Sequence, residues 1–145
     1  NINLKENGIA LNTLYQKLAS SDAKRITIFL DACFSGGGRD LGLMATRGMR
    51  IKPSEVNSYG NMVIFSSSTG EERSLSFEEK QHGYFTYYLL KKLKETEGKL
   101  NYLELSKYLN KEVTKKTLID KNIKQTPTNS ISPSIIGKWE SWSFR

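Results

Sequence analysis

The chain has 145 residues, 37% hydrophobic and 26% charged, with Lys+Arg 22 against Asp+Glu 15 and a net charge of +7. That length supports one domain with one hydrophobic core. No apolar run approaches the roughly 18 residues that span a bilayer. The basic charge would suit nucleic acid if it were clustered. The lysines from Lys91 to Lys124 are instead spread between apolar residues of helical spacing, which reads as solvated helix faces. Neither nucleic acid nor a membrane is expected as a partner. A single cysteine rules out an internal disulfide and fits a reducing compartment, so a cytoplasmic location is expected. One cysteine and one histidine fall short of a zinc site of the usual kind, and no metal or other cofactor is expected.

In chain order, Leu11, Leu14, Tyr15 and Leu18 recur at helical spacing and predict an amphipathic helix from about Asn7 or Gly8 to Ser20-Ser21-Asp22. Arg25-Ile26-Thr27-Ile28-Phe29-Leu30 is a β-branched apolar run and reads as a buried strand. Residues 35–61 form a long, glycine-rich, basic connection that reads as a loop. Asn61-Met62-Val63-Ile64-Phe65 predicts a second buried strand, closed by Ser66-Ser67-Ser68-Thr69-Gly70 and a loop to about Gln81. Phe85, Tyr88, Leu89 and Leu93 share one face of a helix over 84–95. Asn101, with Glu104 three residues on, has the form of a capping box, and Tyr102, Leu105, Leu109 and Val113 continue it as an apolar stripe. The tail from Gln125, with Trp139, Trp142 and Phe144, reads as an extended segment covering the sheet. Buried strands alternating with helices predict an α/β fold with parallel pairing and both sheet faces covered. No internal repeat and no second domain are evident, so residues 1–145 are read as one catalytic-domain fragment.

Cys33 follows a buried strand and precedes Gly36-Gly37-Gly38. Ligands of open α/β sheets bind beyond the carboxyl ends of strands. Glycines after a nucleophile let main-chain N–H groups turn toward a substrate oxygen, as an oxyanion hole requires. A cysteine nucleophile needs a base, normally histidine. The one candidate, His82, lies near a helix start, which disfavours imidazolium; a structural role is expected for it. Asp31 is two residues before Cys33, so strand alternation places both side chains on one side. A carboxylate there suits a substrate Arg or Lys. Arg73 is a counter-candidate that would favour an acidic substrate, but Glu71 and Glu72 flank it and argue for a basic one.

The segment Lys24-Arg25-Ile26-Thr27-Ile28-Phe29-Leu30-Asp31-Ala32-Cys33-Phe34-Ser35-Gly36 resembles the cysteine segment of the caspase and metacaspase clan, nearest to bacterial caspase-family peptidases. Val63 to Leu90 resembles the same family's strand, serine-rich turn, acidic loop, His-Gly-x-Phe-Thr stretch and Leu-rich helix. The helix around Leu11 to Leu18 matches the one before the family's cysteine strand, and the resemblance covers about residues 5–130. The resemblance implies a caspase-like three-layer sandwich, incomplete here because the first strands and the catalytic histidine segment are missing. It implies a cysteine endopeptidase with Cys33 as nucleophile and the Cys33 backbone N–H in the oxyanion hole. Substrate contacts are expected at Asp31, Ser66, Ser67 and Glu72, with cleavage after Arg or Lys. The catalytic histidine is expected from a Gly-His-Gly type segment outside these residues, as a separate chain or another part of the protein, so the isolated chain should be inactive. Arg39, Arg47 and Arg50 mark an expected processing loop. The alternative is an inactive caspase-like scaffold or regulator.

Overall fold

A computed structural model describes residues 9–32, 60–69 and 71–145. Helix α1 spans Leu11–Ala19. Asn7 and Gly8, its expected start, lie outside the described residues. Its last carbonyls are satisfied locally: Ser20 and Ser21 donate their hydroxyls to Lys17 O and Leu18 O at 2.8 and 2.6 Å.

Strands β1 (Ile26–Leu30) and β2 (Met62–Ser66) pair in parallel, in register from Ile26↔Met62 to Leu30↔Ser66. The first part of the tail departs from its sequence reading. Rather than lying over the sheet, Thr128–Ile131 (β5) enters it as a strand antiparallel to β2, from Val63↔Ile131 to Ser66↔Thr128. The sheet is therefore mixed, with β2 at its centre. All of β2 is buried, whereas β1, expected to be buried, is mostly half-buried. Among the described residues β1 lies at the edge of the sheet, and a strand is shielded only where a neighbour or a layer covers it.

Alternation of side chains sorts the strands into two cores. Ile26, Ile28, Leu30, Met62 and Ile64 pack with Tyr15, Leu11 and Leu18 of α1. Phe29, Val63 and Phe65 point the other way, into a larger cluster with Phe85, Leu89, Leu105, Leu109 and Val113. Those residues belong to helices over Tyr84–Glu95 (α2) and Tyr102–Lys121 (α3). The arrangement is thus a three-layer α/β sandwich, with α1 on one face of the sheet and α2 with α3 on the other.

The starts and stops of these helices follow local chemistry. At the head of α3, Glu104 N–H donates to Asn101 Oδ1 at 2.8 Å and Asn101 N–H donates to Glu104 Oε2 at 3.1 Å. This is the capping box expected from the sequence. At the end of α2, Gly98 N–H reaches Leu93 O and Glu97 N–H reaches Lys94 O, a Schellman closure. Glu97 takes the left-handed position, at φ 51. Beyond β5 the aromatic tail folds over the sheet face: Phe144 stacks on Tyr102 at 4.7 Å, and Trp142 O accepts from Tyr102 N–H at 2.8 Å.

The loop expected to run to Gln81 contains a short hairpin. Ser76–Phe77 (β3) pairs antiparallel with His82–Gly83 (β4) through Ser76↔Gly83 and Phe77↔His82. Gln81, in the left-handed region at φ 54, closes the turn. This hairpin delivers the chain into α2 beside the carboxyl end of β1.

Candidate active site

Asp31 continues the alternation of β1 onto the face shared by Phe29, Phe65 and α2. It is half-buried, and its carboxylate is gripped from two elements. Ser74 Oγ donates to Oδ1 at 2.9 Å, and Thr86 Oγ1 donates to Oδ2 at 2.6 Å. Thr86 lies in the first turn of α2. That turn has no acidic residue of its own, and its N-cap, Gly83, offers no side-chain acceptor. A carboxylate near a helix N-terminus is favoured by the macrodipole, so Asp31 supplies from β1 the negative charge that α2 lacks. Both of these donors are neutral hydroxyls, and their bonds orient the carboxylate.

Gly83 makes this grip sterically feasible. A Cβ built there would lie 2.3 Å from Asp31 Oδ2. Its backbone, φ -70 and ψ 155, is open to any residue, so space rather than conformation requires glycine. Gly83→Ala is expected to push the carboxylate off Thr86 and to destabilise the domain by about 1–3 kcal/mol, the usual cost of overpacking. Denaturant melts of the two proteins check this, and an unchanged midpoint would refute it.

The structure divides the other expected substrate residues. Ser67 is fully buried and joins Asp31: its Oγ is 2.5 Å from Ser74 Oγ and 3.5 Å from Ala32 O, and its N–H donates to Leu30 O at 2.8 Å. Ser66 is not brought to the same place. It shares the face of Met62 and Ile64, opposite to Asp31, because adjacent strand residues point apart. Glu72 turns toward the segment after α3, where Thr126 N–H donates to Oε2 at 2.5 Å and Thr126 Oγ1 to Oε1 at 3.0 Å. Glu71 and Arg73 are exposed. Cys33, with its expected oxyanion N–H, and Arg39, Arg47 and Arg50 lie outside the described residues.

His82 is exposed and pairs with Phe77 across the hairpin. Because Gly83 faces Asp31, alternation turns the His82 ring away. It borders a groove of about 420 Å³ with Lys80, Tyr87, Leu90, Lys91 and Lys94.

Sequence reasoning missed the residue that braces this arrangement, Gln125. It is fully buried, donating from Nε2 to Ser67 O at 2.9 Å and accepting at Oε1 from Leu75 N–H at 2.8 Å. No local pattern around Lys124-Gln125-Thr126 announces that role. Thr86 and Gly83, by contrast, stand within the His-Gly-Tyr-Phe-Thr stretch singled out in the sequence.

Electrostatics beside the site are dominated by Tyr84 and Asp120. Burial pushes the Tyr84 phenol up, and its hydrogen bond to Asp120 at 2.9 Å adds to the shift. The Lys116 ammonium, 2.7 Å away, is the main cause that holds Asp120 below its ordinary value. Phe77 stacks on Tyr84 at 4.5 Å and walls the same side of the hairpin. These contacts secure β3 and β4, and through them Gly83, against the end of α3.

A three-layer α/β sandwich, with a polar cluster at the carboxyl end of β1, which runs into an Asp-Ala-Cys segment, has the architecture of the caspase-like class. The family model described as Caspase domain matches residues 1–134, and the chain belongs to that family. The family is one of cysteine peptidases, so the activity class is hydrolysis of peptide bonds. No curated protein and no solved structure matches the chain significantly. Among the described residues, no helix is long and apolar enough to cross a membrane.

Proposed function

We propose that this protein is a cysteine endopeptidase of metacaspase-like specificity, cutting after arginine or lysine. The observation that carries this reading is the Asp31 carboxylate, oriented by Ser74 and Thr86 two residues before Cys33. A substrate side chain seated on Asp31 would bring the following carbonyl carbon toward the thiol. Cys33 attacks that carbon as the thiolate, its proton passing to a histidine from a segment outside these 145 residues. The Cys33 backbone N–H steadies the oxyanion. The histidine then protonates the departing amine, and water releases the acyl group from sulfur. The partners are a peptide or protein substrate and the histidine-bearing segment. Arg39, Arg47 and Arg50 offer such an enzyme its own processing sites.

The test is a set of peptides differing only before the cut, with Arg, Lys, Gln or Asp, assayed on the complete protein and on Asp31→Asn. Arg and Lys peptides should lead. A charge-assisted hydrogen bond contributes roughly 1.5–3 kcal/mol, so Asp31→Asn should lower their kcat/KM by about ten- to a hundredfold. Fastest cleavage after Asp, or selectivity indifferent to Asp31→Asn, would overturn the reading.

A further inference from the structure

The Asp31 carboxylate is fixed in orientation as well as in place. Each of its oxygens receives a hydroxyl, and these donors come from different parts of the fold: Ser74 from the segment before β3, Thr86 from α2. Turning the carboxylate about its own axis breaks both bonds together. Ser74 is 2% exposed, so its hydroxyl has little water to exchange with.

The Ser74 segment is held in turn. The side-chain amide of Gln125 bonds the backbone at both ends of the stretch from Ser67 to Leu75. Thr114 Oγ1 donates to Gln125 O at 3.0 Å, and Gln125 N–H donates to Thr117 Oγ1 at 3.3 Å, which anchors Gln125 to α3. Glu72, within the same stretch, holds Thr126. A path of hydrogen bonds, joined by the Ser74–Leu75 peptide, therefore runs from α3 through the buried Gln125 to Ser74 and the carboxylate. Buried networks with their members satisfied hold a single geometry.

We infer that Ser74 and Thr86 are positioning residues that set a preference for arginine over lysine before the cut. The inference rests on Asp31 as the substrate-binding carboxylate. A guanidinium is a planar fork that meets a carboxylate through two parallel N–H···O bonds, so its binding depends on the orientation of the carboxylate plane. An ammonium is a compact charge with rotatable donors and tolerates a turned plane. Fixing the plane therefore favours the fork over the point charge.

The experiment uses the complete active protein with matched Arg, Lys and Gln peptides, comparing wild type with Thr86→Val, Thr86→Ser and Ser74→Ala. Thr86→Val keeps the branched shape and removes the donor. It should lower kcat/KM for the Arg peptide by about tenfold, the effect of one hydrogen bond to a charged group, and chiefly through KM. The Lys peptide should lose much less, so the Arg-to-Lys ratio falls. Thr86→Ser should restore the ratio. Damage of a general kind would depress all three peptides in parallel, and that outcome overturns the inference, as does an unchanged ratio. Ser74→Ala gives the same readout from the other oxygen should Thr86→Val fail to fold. If Asp31→Asn leaves the basic preference intact, the underlying specificity reading fails. If Asp31→Asn abolishes that preference while the hydroxyl variants leave the ratio alone, only the present inference fails.

Discussion

Cys33→Ala in the complete protein is expected to abolish peptide cleavage while leaving the fold intact. Removing the nucleophile of a covalent mechanism cannot be compensated by base or oxyanion donors, which then have no intermediate to act upon. In a comparable hydrolase the loss is on the order of 10⁶-fold in kcat. Alanine keeps most of the small apolar volume of cysteine, so the melting temperature should move little. His82→Ala is the informative companion. The ring of His82 is turned from Asp31 by strand alternation across Gly83, so this variant should keep most of its turnover. Peptide cleavage assays on both variants, with a thiol-reactive peptide inhibitor as a label, check the pair. Turnover surviving in Cys33→Ala would remove that residue as the nucleophile. Activity lost with the fold intact in His82→Ala would make His82 the base.

Gln125→Met is expected to produce a large loss of stability. Methionine fills nearly the same volume but offers neither the amide donor nor the strong acceptor. The substitution leaves Leu75 N–H and Ser67 O without their partner in a buried setting. Each orphaned backbone group costs about 1–3 kcal/mol, so the pair should cost roughly 2–6 kcal/mol. That places the variant in the tail of destabilising substitutions. Denaturant unfolding should show a lower midpoint with an unchanged slope. A loss below about 1 kcal/mol would mean that water or a shifted backbone satisfies both groups. The same variant should lose selectivity among basic substrates before it loses activity, since Ser74 adjoins Leu75 and the network ends on the carboxylate.

Much of the fold was legible in the sequence because its determinants are local. α2 was expected over 84–95 and forms over Tyr84–Glu95. The start of α3 depends on Asn101 and Glu104, three residues apart, and each side chain meets the other residue's backbone as expected. The cores of β1 and β2 were carried by runs of apolar and β-branched residues, and their family by the Asp-Ala-Cys-Phe-Ser-Gly segment. The boundaries of α1 and the short hairpin at 76–83 were less legible. Strands of two residues leave no periodic trace, and these are braced by the stack of Phe77 on Tyr84 and the bond from Tyr84 to Asp120 of α3.

The sequence by itself determined the helices, the two main strands, the cysteine segment and the presence of an aspartate two residues before it. Each of these is set within a few turns of chain, where spacing translates directly into faces and caps. Only the tertiary structure decided what surrounds that aspartate. Ser74 and Thr86 reach it from 43 and 55 residues away, and Gln125 reaches Ser67 from 58. The tail became a strand because β2 offered a second edge. Ser66 and Ser67, alike in composition, were separated by register, since one step along a strand reverses the face. Glu72 was taken by Thr126 because β5 brings the chain back past the serine turn. A side chain's chemistry is written at its own position; its partner is chosen by the packing of every element between them.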